Sequence, residues 1–211
     1  ERLLLDHEIS RESVDFLIFC TQTPDYFLPS TSCLLQQRLG LSQTCGAVDV
    51  NQGCSGYVYC LGLATGLIES AQAQKVLILT ADTYSKLIHP LDKSVRTLFG
   101  DAGSASIVEG VEAATDKIGP CIFGTDGRGA DKLILATGAF REIRNTSTSL
   151  VHEDQSGNRR ARDNLYMDGA DVLTFSLREV PRLVEQLLAR SRMRLDEIDH
   201  FIFHQGSKLM L

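Results

Sequence analysis

Two kinds of apolar pattern alternate along the chain. Residues 14–21 and 76–80 are short, nearly unbroken apolar runs, the signature of strands buried on both faces, and 47–50 reads as a short buried strand. Between them, apolar residues recur every three or four positions, as one face of a helix requires. Leu3, Leu4 and Leu5 sit in a first helix. A second is capped by Ser30 or Thr31, runs to Leu39 and is closed by Gly40. Tyr57, Leu61, Ala64, Leu67 and Ile68 mark a third, reaching about Gln72. Pro24 and Pro29 bracket a loop, residues 82–98 form a long excursion around Pro90, and a strand over 104–108 follows Gly100 and Gly103.

Residues 110–120 are small, charged and turn-forming, and the pattern restarts after them. This predicts two parts, 1–112 and 113–211. In the second, 121–124 and 132–136 read as strands and 140–164 as a long polar surface loop. Asp168 or Gly169 opens an amphipathic helix carrying Val172, Phe175, Val180, Leu183, Leu187 and Leu188, which Pro181 kinks or interrupts. A last strand spans 198–203, with His204 at its C-terminal end. Alternating elements with buried strands predict a layered α/β fold. Ligands in such folds collect where strands end, and Cys54 and His204 each follow a strand directly.

Composition narrows the chemistry. Of 211 residues, 43% are hydrophobic and 23% charged, with a net charge of −6, so no general basic field draws nucleic acid. No apolar run reaches the roughly 18–20 residues that span a bilayer. Six cysteines without paired short spacings predict neither a zinc site nor a disulfide framework. Free thiols with no export signal predict a cytoplasmic protein. The chain opens at Glu1 inside a helical pattern and stops at Leu211 as another begins, which predicts a fragment of a longer chain.

Cys54 stands between a strand and a helix, in Asn51-Gln52-Gly53-Cys54-Ser55-Gly56-Tyr57. The flanking glycines permit a tight turn and close approach. A thiol there meets the positive end of the helix dipole and the unpaired first-turn N–H groups, which favours thiolate. The same N–H groups suit a developing oxyanion. These are the parts of a covalent acyl-transfer site. The competing reading is an inert, buried small hydrophobe, and the other five cysteines fit it better. Cys20 lies in an apolar strand, Cys33 and Cys60 on helical patterns, Cys121 before Ile122-Phe123, and Cys45 in a turn.

Five motifs occur in order: Thr23-Pro24-Asp25-Tyr26-Phe27-Leu28-Pro29-Ser30-Thr31, residues 51–57, Leu98-Phe99-Gly100-Asp101-Ala102-Gly103-Ser104-Ala105, Leu165-Tyr166-Met167-Asp168-Gly169 and Phe203-His204-Gln205-Gly206. Together they resemble the 3-oxoacyl-[acyl carrier protein] synthase III family of the thiolase superfamily. The resemblance implies a partial thiolase-like αβαβα fold of two pseudo-repeated halves, with the nucleophile in 1–112 and a catalytic His in 113–211. It implies that Cys54 takes an acyl group from acyl-CoA and that malonyl-acyl carrier protein loses CO₂ and attacks the thioester. His204 would stabilise the enolate and assist proton transfer from Cys54. Leu28 of the partner subunit in a homodimer, with Phe99, Leu165, Leu173 and Gly169, would line the substrate pocket.

No metal and no cofactor beyond the CoA and phosphopantetheine thioester substrates is implied, and no membrane partner. Gly100-Asp101-Ala102-Gly103 lacks the lysine of a phosphate loop and reads as structural. His7, His89, His152 and His200 lack such context and read as surface or structural. Ser207, where the family commonly has Asn, and Gln52, where small residues are commoner, point to a branch with a different acyl substrate. Rival readings are a Cys-dependent acyltransferase without decarboxylation, a non-catalytic condensing-enzyme-like subunit, and a cysteine peptidase.

Overall fold

The computed structural model describes residues 1–206. They form two compact units, one of residues 1–82 and 101–121, the other of residues 83–100 with those after 121. The units are contact bodies rather than repeats, so a division at 112/113 into pseudo-repeated halves stays an expectation.

The first unit is built on a four-stranded sheet in the order β2-β1-β3-β4. Its strands are β1 (Phe16–Cys20), β2 (Gly46–Val50), β3 (Lys75–Thr83) and β4 (Asp101–Glu109). β1 runs parallel to both neighbours, with Ile18 opposite Val48 on one side and Ile78 on the other. Helices α1 (Arg2–Asp6), α2 (Thr31–Leu39) and α3 (Gly56–Glu69) complete it. The unbroken apolar runs of β1 and β3 are explained by period-two alternation with both faces covered, whereas β2, expected to be a buried strand, is an edge strand with no fully buried residue and with Val48 exposed. Ile18, Cys20, Val76 and Ile78 join Cys60 and Ala64 of α3 in one core. Leu17 and Leu77 join Leu4 of α1, Val14 and Leu41 in another, against which Leu35 and Leu39 of α2 pack. Leu17 and Ile18 are fully buried, and each such side chain contributes about 1.5–3 kcal/mol by leaving water.

The helix caps differ from expectation in one respect. Gly40 closes α2 in the left-handed conformation (φ 67°), as predicted. Ser30 occupies the N-cap, but its side chain makes no capping bond. Asp49 of β2 does that work, accepting Thr31 N–H at 2.8 Å and Ser32 N–H at 2.7 Å. A carboxylate delivered by the sheet thus answers both the orphan donors and the positive helix end.

The second unit holds α4 (Lys93–Arg96), the short pairs β5 (Leu133–Ile134) with β8 (Tyr166–Met167) and β6 (His152–Glu153) with β7 (Arg159–Arg160), and α5 (Gly169–Ser191). Asp168 caps α5 by accepting Asp171 N–H. α5 continues as helix through Pro181, where a kink or break was expected. The segment 140–164 is more ordered than a surface loop. It contains the β6–β7 hairpin, tied down by Arg160, which bonds buried Asp92 at 2.9 Å and Asp154 at 2.8 Å. The same guanidinium lies 5.0 Å from the Tyr166 ring centroid.

Three expected strands are corrected. The run 132–136 shrinks to Leu133–Ile134, and neither 121–124 nor 198–203 is a strand. Apolar alternation is present in the last of these, since the Phe201 and Phe203 rings stack 5.9 Å apart with Ile202 93% exposed. A strand also needs a neighbour to accept its N–H and C=O groups, and among the described residues none pairs here.

Candidate active site

Cys54 lies just ahead of α3, after the C-terminal end of β2. Of the glycines beside it, Gly56 is required by packing and not by backbone angle, while over Gly53 only the end of the flexible Gln22 side chain would have to give way. A Cβ on Gly53 would stand 2.6 Å from Gln22 Oε1, and one on Gly56 would stand 2.2 Å from Cys20 Sγ. The turn is closed by Gly56 N–H donating to Gly53 O at 2.8 Å, and Cys20 Sγ donates to Gln52 O at 3.2 Å. Gly56 N–H is therefore spent inside the turn, and Val58 N–H is spent on Ser55 O. The oxyanion role expected of the first-turn N–H groups does not fall to these two.

The helix end was expected to favour thiolate, but packing around the sulfur acts in the opposite direction. Burial pushes the Cys54 thiol above its ordinary value; its own backbone N–H hydrogen bond acts the other way, and the charge of Asp82 raises it further. Yet the residue is exposed. The two observations answer different questions: accessibility lets a substrate reach the sulfur, while water excluded on its protein side fixes the resting protonation state. With its value raised by these causes, Cys54 rests as a thiol that must lose its proton during attack.

The other cysteines divide differently from expectation. Cys20, Cys45 and Cys60 are buried, but Cys33 is exposed and Cys121 half-buried. Cys60 is pushed up to about 12, by burial first and then by neighbouring Cys20.

Of the other expected site residues, Leu28 is in the first unit, 83% exposed, beside exposed Tyr26 and Phe27. Its loop is anchored by Asp25 N–H donating to Thr31 Oγ1 at 3.0 Å. Phe99, Leu165, Gly169, Leu173 and His204 belong to the second unit. Leu165 is buried, its N–H donating to Leu87 O at 2.9 Å. Phe99 is half-buried, its ring 5.1 Å from that of Tyr84. Gly169 begins α5, exposed, and Leu173 lies half-buried one turn on. His204 is exposed and stands at the end of no strand. Ser207 lies outside the described residues. A cleft of about 310 Å³ beside the hairpin, lined by Ile134, Ala136, His152, Arg160, Ala161 and Tyr166 among others, includes none of these residues.

Sequence reasoning missed Asp82. Its Oδ1 accepts Gln22 N–H at 2.7 Å and the Thr21 and Thr23 hydroxyls at 3.1 Å each. The available signal was a carboxylate at the end of one buried strand and a Thr-Gln-Thr run at the end of another.

A profile of the 3-oxoacyl-[acyl-carrier-protein (ACP)] synthase III family matches residues 48–127, which include the Cys54 turn. A crystal structure of a 3-oxoacyl-(acyl-carrier-protein) synthase III superposes on the whole chain with a TM-score of 0.97 at 53% identity. The chain belongs to the 3-oxoacyl-[acyl-carrier-protein] synthase III family. Its fold is thereby thiolase-like α/β, and partial, since it covers 62% of that structure. The 3-oxoacyl-(acyl-carrier protein) synthase of Burkholderia xenovorans is similar over 100% of the chain and 58% of its own length, at 38% identity and a TM-score of 0.85. A Campylobacter jejuni protein provisionally named 3-oxoacyl-[acyl-carrier-protein] synthase 3 is 37% identical over 99% of the chain and 58% of its own length. The chain thus spans about three-fifths of the synthase III proteins it matches. Among its described residues, no helix is long and apolar enough to cross a membrane.

Proposed function

We propose that this chain carries the nucleophile of an acyl-condensing enzyme, which joins an acyl-CoA primer to malonyl-acyl carrier protein through a thioester on Cys54. The observation that carries this reading is the exposed Cys54 at a strand-to-helix turn, in a chain of this family. The Cys54 sulfur attacks the acyl-CoA carbonyl as its proton leaves. The acyl C–S bond to CoA breaks, and CoA departs as the thiol. Malonyl-acyl carrier protein then loses CO₂, and the electron pair of the broken C–C bond becomes an enolate. The enolate carbon attacks the Cys54 thioester, a new C–C bond forms, and the cysteine thiol is regenerated.

His204 is assigned the stabilisation of the enolate oxygen, a charge that exists only in the second half-reaction. Phe99, Leu165, Gly169 and Leu173, with Leu28 of the partner subunit, are assigned the acyl pocket. The homodimer is supported by the exposed tip Tyr26-Phe27-Leu28, because apolar surface left in water costs about 25 cal/mol per Å². Light scattering of the full-length protein at micromolar concentration tests it: a dimer is expected, and a monomer contradicts it. Incubating full-length protein with a panel of acyl-CoAs and locating the adduct by peptide mass spectrometry tests the nucleophile.

A further inference from the structure

Resting on the reading of Cys54 as nucleophile, we infer that Asp82 is a positioning residue for it: its carboxylate holds the Thr21-Gln22-Thr23 turn, whose Gln22 side chain lies over Gly53 beside the nucleophile. Three donors converge on one oxygen: Gln22 N–H at 2.7 Å and two threonine hydroxyls at 3.1 Å each. Thr21 Oγ1 in turn accepts Thr23 N–H at 3.0 Å, so the turn folds back on the group that binds Asp82. Such convergence suits an ionised acceptor, whose bonds are about twice as strong as neutral ones. It also holds the Gln22 backbone beside the nucleophile turn. The Gln22 amide oxygen occupies the space over Gly53 where a side chain would be, one residue before Cys54. Asp82 on β3 thus reaches the nucleophile turn through the end of β1.

The titratable groups around that turn make Asp82 the one that acts on the sulfur. Asp49 of β2 spends both carboxylate oxygens on the start of α2. Cys20 of β1 and Cys60 of α3 are thiols with raised values, neutral at working pH. Asp82 from β3 is the charge that bears on Cys54. Its charge adds to burial, the larger cause, in raising the Cys54 thiol above its ordinary value.

Two substitutions separate charge from geometry. Asp82→Asn keeps an Oδ1 acceptor and removes the charge. Asp82→Ala removes both. The rate of iodoacetamide alkylation, read cysteine by cysteine from peptide masses across pH, follows the thiolate fraction. In Asp82→Asn, the Cys54 profile is expected to move to lower pH, while that of exposed Cys33 in the same sample stays in place. In Asp82→Ala, the Gln22 amide is expected to exchange its hydrogen about tenfold faster or more, as loss of a bond to a charged group implies. An unmoved Cys54 profile in Asp82→Asn overturns the inference, whether or not Asp82→Ala folds. The readout does not depend on the proposed reaction. A shifted profile in a protein that takes no acyl group from acyl-CoA keeps Asp82's role and removes the enzymatic reading; acylation with an unmoved profile does the reverse.

Discussion

Cys20 Sγ lies 2.2 Å from the point where a Cβ on Gly56 would stand. The buried sulfur of β1 thereby sets how closely α3 begins beside the sheet, and with it the depth of the Cys54 turn. Gly56→Ala forces the sulfur or the helix to move, and overpacking of this kind costs about 1–3 kcal/mol. Urea unfolding should show that loss. Adding Cys20→Ala should recover part of it, because the smaller side chain clears the space. Equal stability of Gly56→Ala and parent would show that the turn can yield.

His204→Ala should depress malonyl decarboxylation and condensation far more than acylation of Cys54. Removing one oxyanion donor typically costs about 10²–10³ in rate. Separate assays of the two half-reactions on full-length protein check this. Equal loss in both would make His204 the base that deprotonates Cys54, a role the raised thiol makes necessary for some group.

Leu28→Phe should shift primer choice toward acetyl. Leucine is the smaller side chain, so the acyl pocket we propose it to end should admit one or two further methylenes. Each contributes ~0.8 kcal/mol, close to fourfold. Competition between acetyl-CoA and longer acyl-CoAs for Cys54 measures the shift. A strong acetyl preference in the parent, unchanged in the variant, would assign pocket depth to other walls.

The β6–β7 hairpin should weaken in acid. Asn158 N–H, the Arg160 guanidinium and Ser156 N–H bond the Asp154 carboxylate and hold it at about 2, against an ordinary 3.8. A carboxyl depressed in the folded state stabilises above its unfolded value and loses that contribution as pH falls through the folded one. Stability from Asp154 is therefore complete above pH ~4 and lost toward pH ~2. Asp154→Asn should flatten the pH dependence of unfolding in that window. An unchanged slope would show that the hairpin does not use this charge.

The buried sheet was legible in the sequence because strands covered on both faces need unbroken apolar runs, and 14–21 and 76–80 supply them. Gly40 was legible because a left-handed cap favours glycine. The Asp49 cap of α2 and the Asp82 cluster were not, since each joins residues far apart in sequence through one carboxylate. The run 198–203 misled because apolar alternation reports a face to be covered but not a partner strand. The thiolate expectation for Cys54 weighed the helix end and left out desolvation and Asp82, both properties of tertiary packing.

The central claim is that Cys54 is the acylated nucleophile. Intact-protein and peptide mass spectrometry after incubation of full-length protein with acyl-CoA tests it most directly. A single acyl adduct on the peptide carrying Cys54, absent in Cys54→Ser, is the predicted result. An adduct that persists in Cys54→Ser, or one that maps to exposed Cys33 instead, would contradict it.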